Sequence, residues 1–125
     1  MIRIIVVDDH QLVRTGTRRL LEDVPGLKVI ADAGSGEEAV ELVRELKPDV
    51  VLMDIQMPVM DGLEAAVLLR SQPGKRDLPI IALTANAMRG DREACLAVGM
   101  DSYLSKPIRY QDLSDMIVQV TSDKQ

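Results

Sequence analysis

Three short runs in this sequence, IIVV, VVLM and IIAL, are apolar at every position. A strand with one wet face would alternate apolar and polar residues, so these runs predict strands that are covered on both faces. Longer stretches with helical periodicity separate the strand candidates and give five strand-then-helix units. The pattern predicts an α/β fold, a doubly wound parallel sheet with helices on both sides.

Local signals set the boundaries of these elements. Ser35 can cap a helix with Glu38 reaching back, and Gly99 is a suitable helix end. The predicted strands are Arg3–Val7, Lys28–Asp32, Asp49–Met53, Pro79–Leu83 and Ser102–Leu104. The predicted helices are Gln11–Asp23, Glu37–Leu46, Gly62–Ser71, Met88–Val98 and Tyr110–Val120. At 125 residues without a linker or repeat, the chain is predicted to be a single domain over residues 1–125.

Composition excludes several functions. With 15 Lys and Arg against 20 Asp and Glu, the net charge of −5 argues against nucleic-acid binding through this domain. No apolar run approaches membrane-spanning length and no signal peptide is present, so we expect a cytoplasmic protein with no membrane contact. The single cysteine, Cys95, rules out an internal disulfide and is interpreted as a small buried filler.

Polar residues follow the strands at corresponding positions. The first strand ends in Asp8 and Asp9, the third in Asp54, the fourth in Thr84 and the fifth in Lys106. A strand-end aspartate alone is more often a turn or helix cap than a ligand. Because the carboxyl ends of parallel strands meet at one edge of the sheet, where such folds bind ligands, we expect all five side chains to converge.

Three carboxylates with neither cysteine nor a cluster of histidines suit Mg²⁺, which prefers hard oxygen ligands. The metal would offset the mutual repulsion of Asp8, Asp9 and Asp54 and keep them ionised. Asp54 could then act as a nucleophile, while Lys106 and Thr84 contact the oxygens of an incoming phosphoryl group. The residues therefore predict a site that moves a phosphoryl group onto an aspartate.

The motifs VVDDH, VVLMDIQMPVMDG, PIIALTA and YLSKP resemble those of receiver domains of two-component response regulators, and the likeness covers essentially the whole chain. It implies the flavodoxin-like, CheY-like fold with strand order 2-1-3-4-5 and five helices. It implies that Asp54 accepts the phosphoryl group and that Asp9 and Asp54 bind Mg²⁺ directly. It further implies that Asp8 binds mostly through water, that the backbone carbonyl of Gln56 is a ligand, and that Lys106 pairs with phosphoryl oxygens.

The same resemblance implies a switch. The hydroxyl of Thr84 would move toward the phosphoryl group and leave room for the ring of Tyr103 to turn inward. This would change the surface formed by the fourth helix, the fifth strand and the fifth helix. Without the resemblance, Tyr103 would be interpreted as a half-exposed packing residue.

The expected donor is a phosphohistidine on a histidine kinase or a histidine phosphotransfer domain, docking near His10, Gln11 and Arg14 and near Pro107–Arg109. We expect a monomer or a phosphorylation-dependent dimer, and a signalling phosphoacceptor that catalyses its own phosphorylation and dephosphorylation rather than an enzyme acting on other substrates. The chain shows no effector domain, which predicts a single-domain relay or a piece of a longer protein.

Three other functions fit the sequence less well. Gly34–Ala39 satisfies a dinucleotide-binding pattern, but Glu37 and Glu38 occupy the helical turn where a pyrophosphate needs positive potential. A Mg²⁺-dependent aspartyl-phosphate hydrolase would need a different sequence after Asp54 and a cap insertion. A pseudo-receiver that has lost phosphorylation would lack at least one key residue, and none is missing.

The resemblance differs between the two halves of the chain. The first half resembles receivers that precede a helix-turn-helix domain, and the second half resembles receivers of hybrid sensor kinases. One hypothesis is a chimera joined near Asp54–Met57, and the alternative is ordinary divergence within a large family.

Overall fold

A computed structural model describes residues 1–54, 62–71, 78–84, 89–97, 99–105 and 109–123. Five parallel strands form one sheet in the order β2-β1-β3-β4-β5, which confirms the predicted fold and strand order. The strands are β1 Ile2–Val7, β2 Leu27–Ala33, β3 Val50–Asp54, β4 Ile80–Thr84 and β5 Ser102–Ser105.

Five helices alternate with the strands. They are α1 Gln11–Glu22, α2 Gly36–Leu46, α3 Gly62–Ser71, α4 Arg89–Ala97 and α5 Tyr110–Asp123. Only α5 departs from its predicted range by more than a residue, since it continues past Val120. Thr121 is buried, and its hydroxyl donates to the carbonyl of Ile117 in the same helix (2.8 Å). This internal hydrogen bond lets the added turn bury a polar side chain.

Two hydrophobic clusters cover the two faces of the sheet, as the fully apolar strands predict. One joins the sheet to α2, α3 and α4 and includes Cys95, which is buried as predicted. The other joins the opposite face to α1 and α5, through Leu21, Leu113 and Ile117 among others. Alternate residues of β1 and β3 therefore enter different clusters, and every residue of β3 is buried.

Strand β2 carries an irregularity that the sequence does not reveal. Ile4 pairs with Val29, but Ile5 pairs with Ala31, so one residue of β2 is skipped in the ladder. Ile30 and Ala31 both pack against the α2–α3–α4 cluster, whereas Val29 belongs to the other cluster. The bulge thus reverses the alternation, and Asp32 faces helix α1 instead of the opposite side of the sheet.

The start of α2 is a capped helix end. Ser35 Oγ accepts a hydrogen bond from the backbone N–H of Glu38 (3.2 Å), as predicted, and the Glu38 carboxylate reaches back to the N–H of Gly34 (3.4 Å) rather than to that of Ser35. These contacts account for the Gly-rich stretch without a nucleotide. Within the described residues, no helix has both the length and the apolar character that crossing a membrane requires.

Two helices end in left-handed residues. Gly99 has φ +91°, its N–H donates to the carbonyl of Leu96, and the N–H of Met100 donates to that of Cys95, so the helix end predicted at this glycine has the Schellman arrangement. Helix α2 ends instead at Lys47, with φ +50°, where a side chain is strained because its Cβ crowds the backbone.

Replacing Lys47 by glycine is therefore expected to raise the free energy of unfolding by about 0.5–1 kcal/mol, since glycine adopts this conformation without the Cβ clash. Urea unfolding followed by circular dichroism measures the change. The matched control is Glu45→Gly, an exposed position inside the same helix, where glycine should cost about 1 kcal/mol. A loss of stability in both variants would contradict the strain assigned to Lys47.

Candidate functional site

The carboxyl ends of β1 and β3 bring two aspartates together. Val7 pairs with Met53 in the ladder, so the next residues, Asp8 and Asp54, lie side by side at the edge of the sheet. Both side chains are buried. Burying two carboxylates next to each other is costly unless positive charge or hydrogen-bond donors compensate for it. Their proximity therefore indicates a functional site at this edge of the sheet.

Asp9 and His10 complete a cluster around these residues. One ligand atom from each of Asp8, Asp9, His10 and Asp54 lies within 4.8 Å of all the others. His10 Nδ1 is 3.0 Å from Asp9 Oδ1 and 3.4 Å from Asp8 Oδ1, while the backbone N–H of His10 donates to Asp8 Oδ1 (2.9 Å). The predicted convergence of Asp8, Asp9 and Asp54 therefore holds, and His10 joins them.

Asp9 Oδ1 supplies a test of whether a metal fits here. This oxygen is buried and has no hydrogen-bond partner among the described residues, and its 3.0 Å approach to His10 Nδ1 does not form a hydrogen bond. An orphaned carboxylate oxygen facing two other carboxylates is what a cation would satisfy. Hard oxygen donors and a net negative charge fit Mg²⁺, so the residues present suit the ion.

Other predicted site residues are described only in part or not at all. Thr84 is the last residue of β4 and pairs with Ser105, two residues after Tyr103. Tyr103 is half-buried and packs against the α2–α3–α4 cluster. Gln56, Lys106, Pro107 and Ile108 lie outside the described residues, and so does most of the proposed junction after Asp54.

Arg14 lies beside the acid cluster, as predicted, but its side chain is mostly buried. The expected donor-docking face includes Arg14, but only 18% of its side chain is exposed and its guanidinium turns inward. It donates to the backbone carbonyl of Asp8 (2.7 Å) and pairs with Asp32 (Arg14 Nε to Oδ1, 3.2 Å). Arg14 and Arg18 are four residues apart, so the sequence does place both on one face of a helix. It does not reveal the bulge in β2 that turns their shared partner, Asp32, toward that face.

Arg18 is the second cation of this network. Its Nη1 donates to Asp32 Oδ2 (2.8 Å) and its Nε to Glu22 Oε1 (3.1 Å). The hydrogen bond to Glu22, followed by that to Asp32, raises the pKa of the Arg18 guanidinium above its ordinary value. Arg14 and Arg18 thus share one carboxylate, but Arg14 also contacts the loop between β1 and α1, at the carbonyl of Asp8.

Comparison with known proteins places this site in a family. Residues 4–118 match the response regulator receiver domain. The response regulator GacA of Pseudomonas viridiflava is 50% identical over 107 residues, which cover 85% of this chain and 49% of that protein. The chain thus spans about half the length of the curated regulators it matches.

A second kind of relative is a kinase. The signal transduction histidine-protein kinase BarA of Shigella flexneri is 40% identical over 116 residues, 93% of this chain and 12% of the kinase. Relatives thus include both regulators and a kinase, in keeping with the mixed resemblance of the sequence. The chimeric junction near Asp54–Met57 stays a prediction, which aligning each half separately would test.

One similar solved structure contains a metal ion. The receiver domain of the sensor histidine kinase PA1611 from Pseudomonas aeruginosa PAO1 is 36% identical, with a TM-score of 0.87 over 97% of this chain and 98% of that one. That crystal structure has a magnesium ion coordinated in its active site cleft. By the match over residues 4–118, the shared fold and the identity to its relatives, this chain belongs to the response regulator receiver domain family.

Proposed function

We propose that Asp54 is the residue of this receiver domain that takes the phosphoryl group, in a Mg²⁺-dependent reaction. Receiver domains accept phosphoryl groups from histidine kinases, and the chain is a signalling phosphoacceptor of that family. The observation that carries the assignment to Asp54 is its position. It is the buried carboxylate at the end of the central strand β3, within 4.8 Å of Asp8 and Asp9.

In the proposed step, a carboxylate oxygen of Asp54 attacks the phosphorus of a phosphohistidine. An O–P bond forms, the P–N bond breaks, and its electron pair stays on the imidazole of the donor. The product is an acyl phosphate on Asp54. Because the phosphoryl group moves without other covalent chemistry, the receiver contributes mainly position and compensation of charge.

Asp9 and Asp54 would hold Mg²⁺ directly, Asp8 mostly through water, and the backbone carbonyl of Gln56 would add a further ligand. When bound, the ion neutralises negative charge on the phosphoryl oxygens. Asp8 is itself held by the N–H of His10, so its carboxylate is oriented before any ligand arrives. Lys106 and Thr84 are proposed to contact the phosphoryl oxygens.

The donor is proposed to be a histidine kinase or a histidine phosphotransfer domain that approaches over the start of α1 and the segment after Lys106. His10 and Gln11 are exposed at the start of α1, next to Asp8 and Asp9 in the chain, and Arg109 is exposed just before α5. Leu12 is 88% exposed in the same first turn of α1, which makes it an apolar contact that the sequence-based docking face omits. Arg14 does not belong to this docking face because its guanidinium is engaged inside.

Phosphorylation is proposed to switch the α4–β5–α5 surface through Thr84 and Tyr103, whose strands β4 and β5 are hydrogen-bonded neighbours. The ring of Tyr103 is partly buried against the α2–α3–α4 cluster, so a change in its position would change its apolar contacts there. We propose that residues 1–125 act as one receiver unit, as a monomer or a phosphorylation-dependent dimer, and that the unit also catalyses its own dephosphorylation.

Intact mass spectrometry after incubation with acetyl phosphate tests this proposal. With Mg²⁺ we expect a gain of one phosphoryl group, and with EDTA little or none, because Asp54 needs compensation of charge to react. Asp54→Asn, which keeps the shape but removes the nucleophile, should show no gain under either condition.

The control is Asp23→Asn, which changes an exposed aspartate just after α1, outside the acid cluster and the contacts of Arg14. It should still gain the phosphoryl group. Equal gain in wild type and Asp54→Asn would mean that another residue is modified. No gain in a wild type shown to bind Mg²⁺ would favour the pseudo-receiver interpretation.

A further inference from the structure

We propose that Arg14 is a positioning residue for the metal site, acting through the backbone of Asp8. The inference rests on the metal site of the proposed function and concerns how the loop that carries Asp8 and Asp9 is held. Its basis is a pair of contacts that hold the peptide groups before and after Asp8, the second of them through the Arg14 guanidinium.

The peptide groups on either side of Asp8 are both anchored. The N–H of Asp8 donates to the carbonyl of Ala33 at the end of β2 (3.0 Å), and the carbonyl of Asp8 accepts from Arg14 Nη1 (2.7 Å). The carbonyl of Asp8 belongs to the peptide that leads into Asp9. Holding it therefore restricts the direction in which the Asp9 side chain leaves the backbone.

Arg14 is itself held in place by Asp32. Its Nε donates to Asp32 Oδ1 (3.2 Å), while its Nη1 reaches Asp8, so the planar guanidinium bridges β2 and the β1–α1 loop. Asp32 faces α1 only because of the bulge at Ile30, and Arg18 Nη1 binds its other oxygen (2.8 Å). The bridge therefore has a rigid base, a carboxylate whose two oxygens are both occupied.

Gly34 fits this arrangement. A Cβ added at Gly34 would lie 3.1 Å from Arg14 Nη1, closer than ordinary van der Waals contact. A side chain at Gly34 would therefore push the nitrogen that binds the Asp8 carbonyl by a few tenths of an ångström. This gives a second way to disturb the bridge without changing Arg14 itself.

The charge of Arg14 and its proposed role in positioning the loop predict opposite changes in Mg²⁺ affinity when Arg14 is replaced. A positive guanidinium near the site repels a cation, so charge alone would make Mg²⁺ bind more tightly after its removal. If Arg14 orders the Asp8–Asp9 loop, its removal weakens binding instead, because the loop must be ordered when the ion binds. Substitutions of groups that orient metal ligands commonly cost 10–100-fold in affinity.

The test is calorimetric titration of the full chain with Mg²⁺, with urea unfolding to verify that each variant is folded. Arg14→Met is expected to weaken Mg²⁺ binding by about tenfold. Arg14→Lys keeps the charge but lacks the planar fork whose Nε and Nη1 reach Asp32 and Asp8 separately, so it should bind Mg²⁺ at least as weakly as Arg14→Met. Gly34→Ala should weaken binding by about threefold or more while changing stability little.

Arg18→Met is the matched control. Arg18→Met removes the same charge from the same helix and also removes a hydrogen bond to Asp32. Arg18 binds Asp32 and Glu22, however, and has no hydrogen bond to the carbonyl of Asp8. Its Mg²⁺ affinity should stay within about twofold of wild type. Hydrogen exchange without metal gives an independent measurement, since the His10 amide, which donates to Asp8, should exchange faster in Arg14→Met than in Arg18→Met.

The outcomes separate clearly. Binding in Arg14→Met that equals or exceeds wild type would overturn the inference, as would wild-type affinity in Arg14→Lys or equal losses in Arg14→Met and Arg18→Met. A wild type that binds no Mg²⁺ would refute the proposed metal site itself, which is a different failure.

Discussion

Asp9→Asn is expected to make the metal-free protein more stable, by about 1–2 kcal/mol, while weakening Mg²⁺ binding by about a hundredfold. The gain follows because ligand oxygens of Asp8, Asp9 and Asp54 lie within 4.8 Å of one another, and Asp9 Oδ1 is buried without a hydrogen bond among the described residues. The loss follows because an amide is a poorer ligand for Mg²⁺ than a carboxylate.

Thermal and urea unfolding in EDTA and in excess Mg²⁺ measure both effects. Wild type should gain stability from Mg²⁺ in proportion to its occupancy, and Asp9→Asn should gain much less. Glu41→Gln, an exposed substitution of the same kind on α2, should behave as wild type.

A less stable Asp9→Asn in EDTA would show that the carboxylate contributes more through contacts than it costs through repulsion. The acid cluster would then be a structural element that also binds metal, rather than a site that is destabilising without it. Either result is independent of phosphorylation, so it isolates the energetics of the site from its chemistry.

The sheet was predictable because three of its strands, β1, β3 and β4, contain the fully apolar runs IIVV, VVLM and IIAL. Val50–Met53 has no polar residue, so it can only be a strand covered on both faces, and Asp54 at its end has to lie at the edge where ligands bind. The same reasoning placed Asp8 and Asp9. Three of the four residues in the metal cluster therefore follow from strand ends alone.

The parts that could not be predicted depend on long-range geometry. The bulge in β2 turns Asp32 toward α1, and neither the composition of LKVIADA nor its alternation indicates it. Without that bulge, Arg14 and Arg18 look like solvent-exposed cations. The direction of the His10 ring was likewise undetermined, because a residue at a helix start can face either solvent or the site.

Arg70→Met is expected to lower the free energy of unfolding by about 3 kcal/mol, the largest loss of stability predicted here. The Arg70 guanidinium at the end of α3 donates to the carbonyls of Leu78 and Gly99 and pairs with Asp101 (Nη2 to Oδ2, 3.0 Å). Only 16% of each side chain in this pair is exposed, so water replaces these contacts poorly.

Arg70 links the end of α3 to the residue that follows α4 and to the residues that precede β4 and β5. Gly99 ends α4, Asp101 precedes β5, and Asp101 Oδ2 also accepts the backbone N–H of Ile80 at the start of β4 (2.8 Å). Methionine keeps the apolar stem of the side chain but leaves the carbonyls and the Asp101 carboxylate without their cation. The cost is therefore assigned to lost hydrogen bonds and to charge rather than to a cavity.

Urea unfolding of Arg70→Met, Asp101→Asn and the double variant measures this network. Because the two residues interact directly, the double variant should lose at least about 1 kcal/mol less than the sum of the single losses. Arg44→Met, an exposed arginine in the last turn of α2, should change stability by less than about 0.5 kcal/mol. Strict additivity of Arg70 and Asp101 would mean that the cation stabilises the carbonyls of Leu78 and Gly99 alone. In that case, the start of β5 would be held independently of α3.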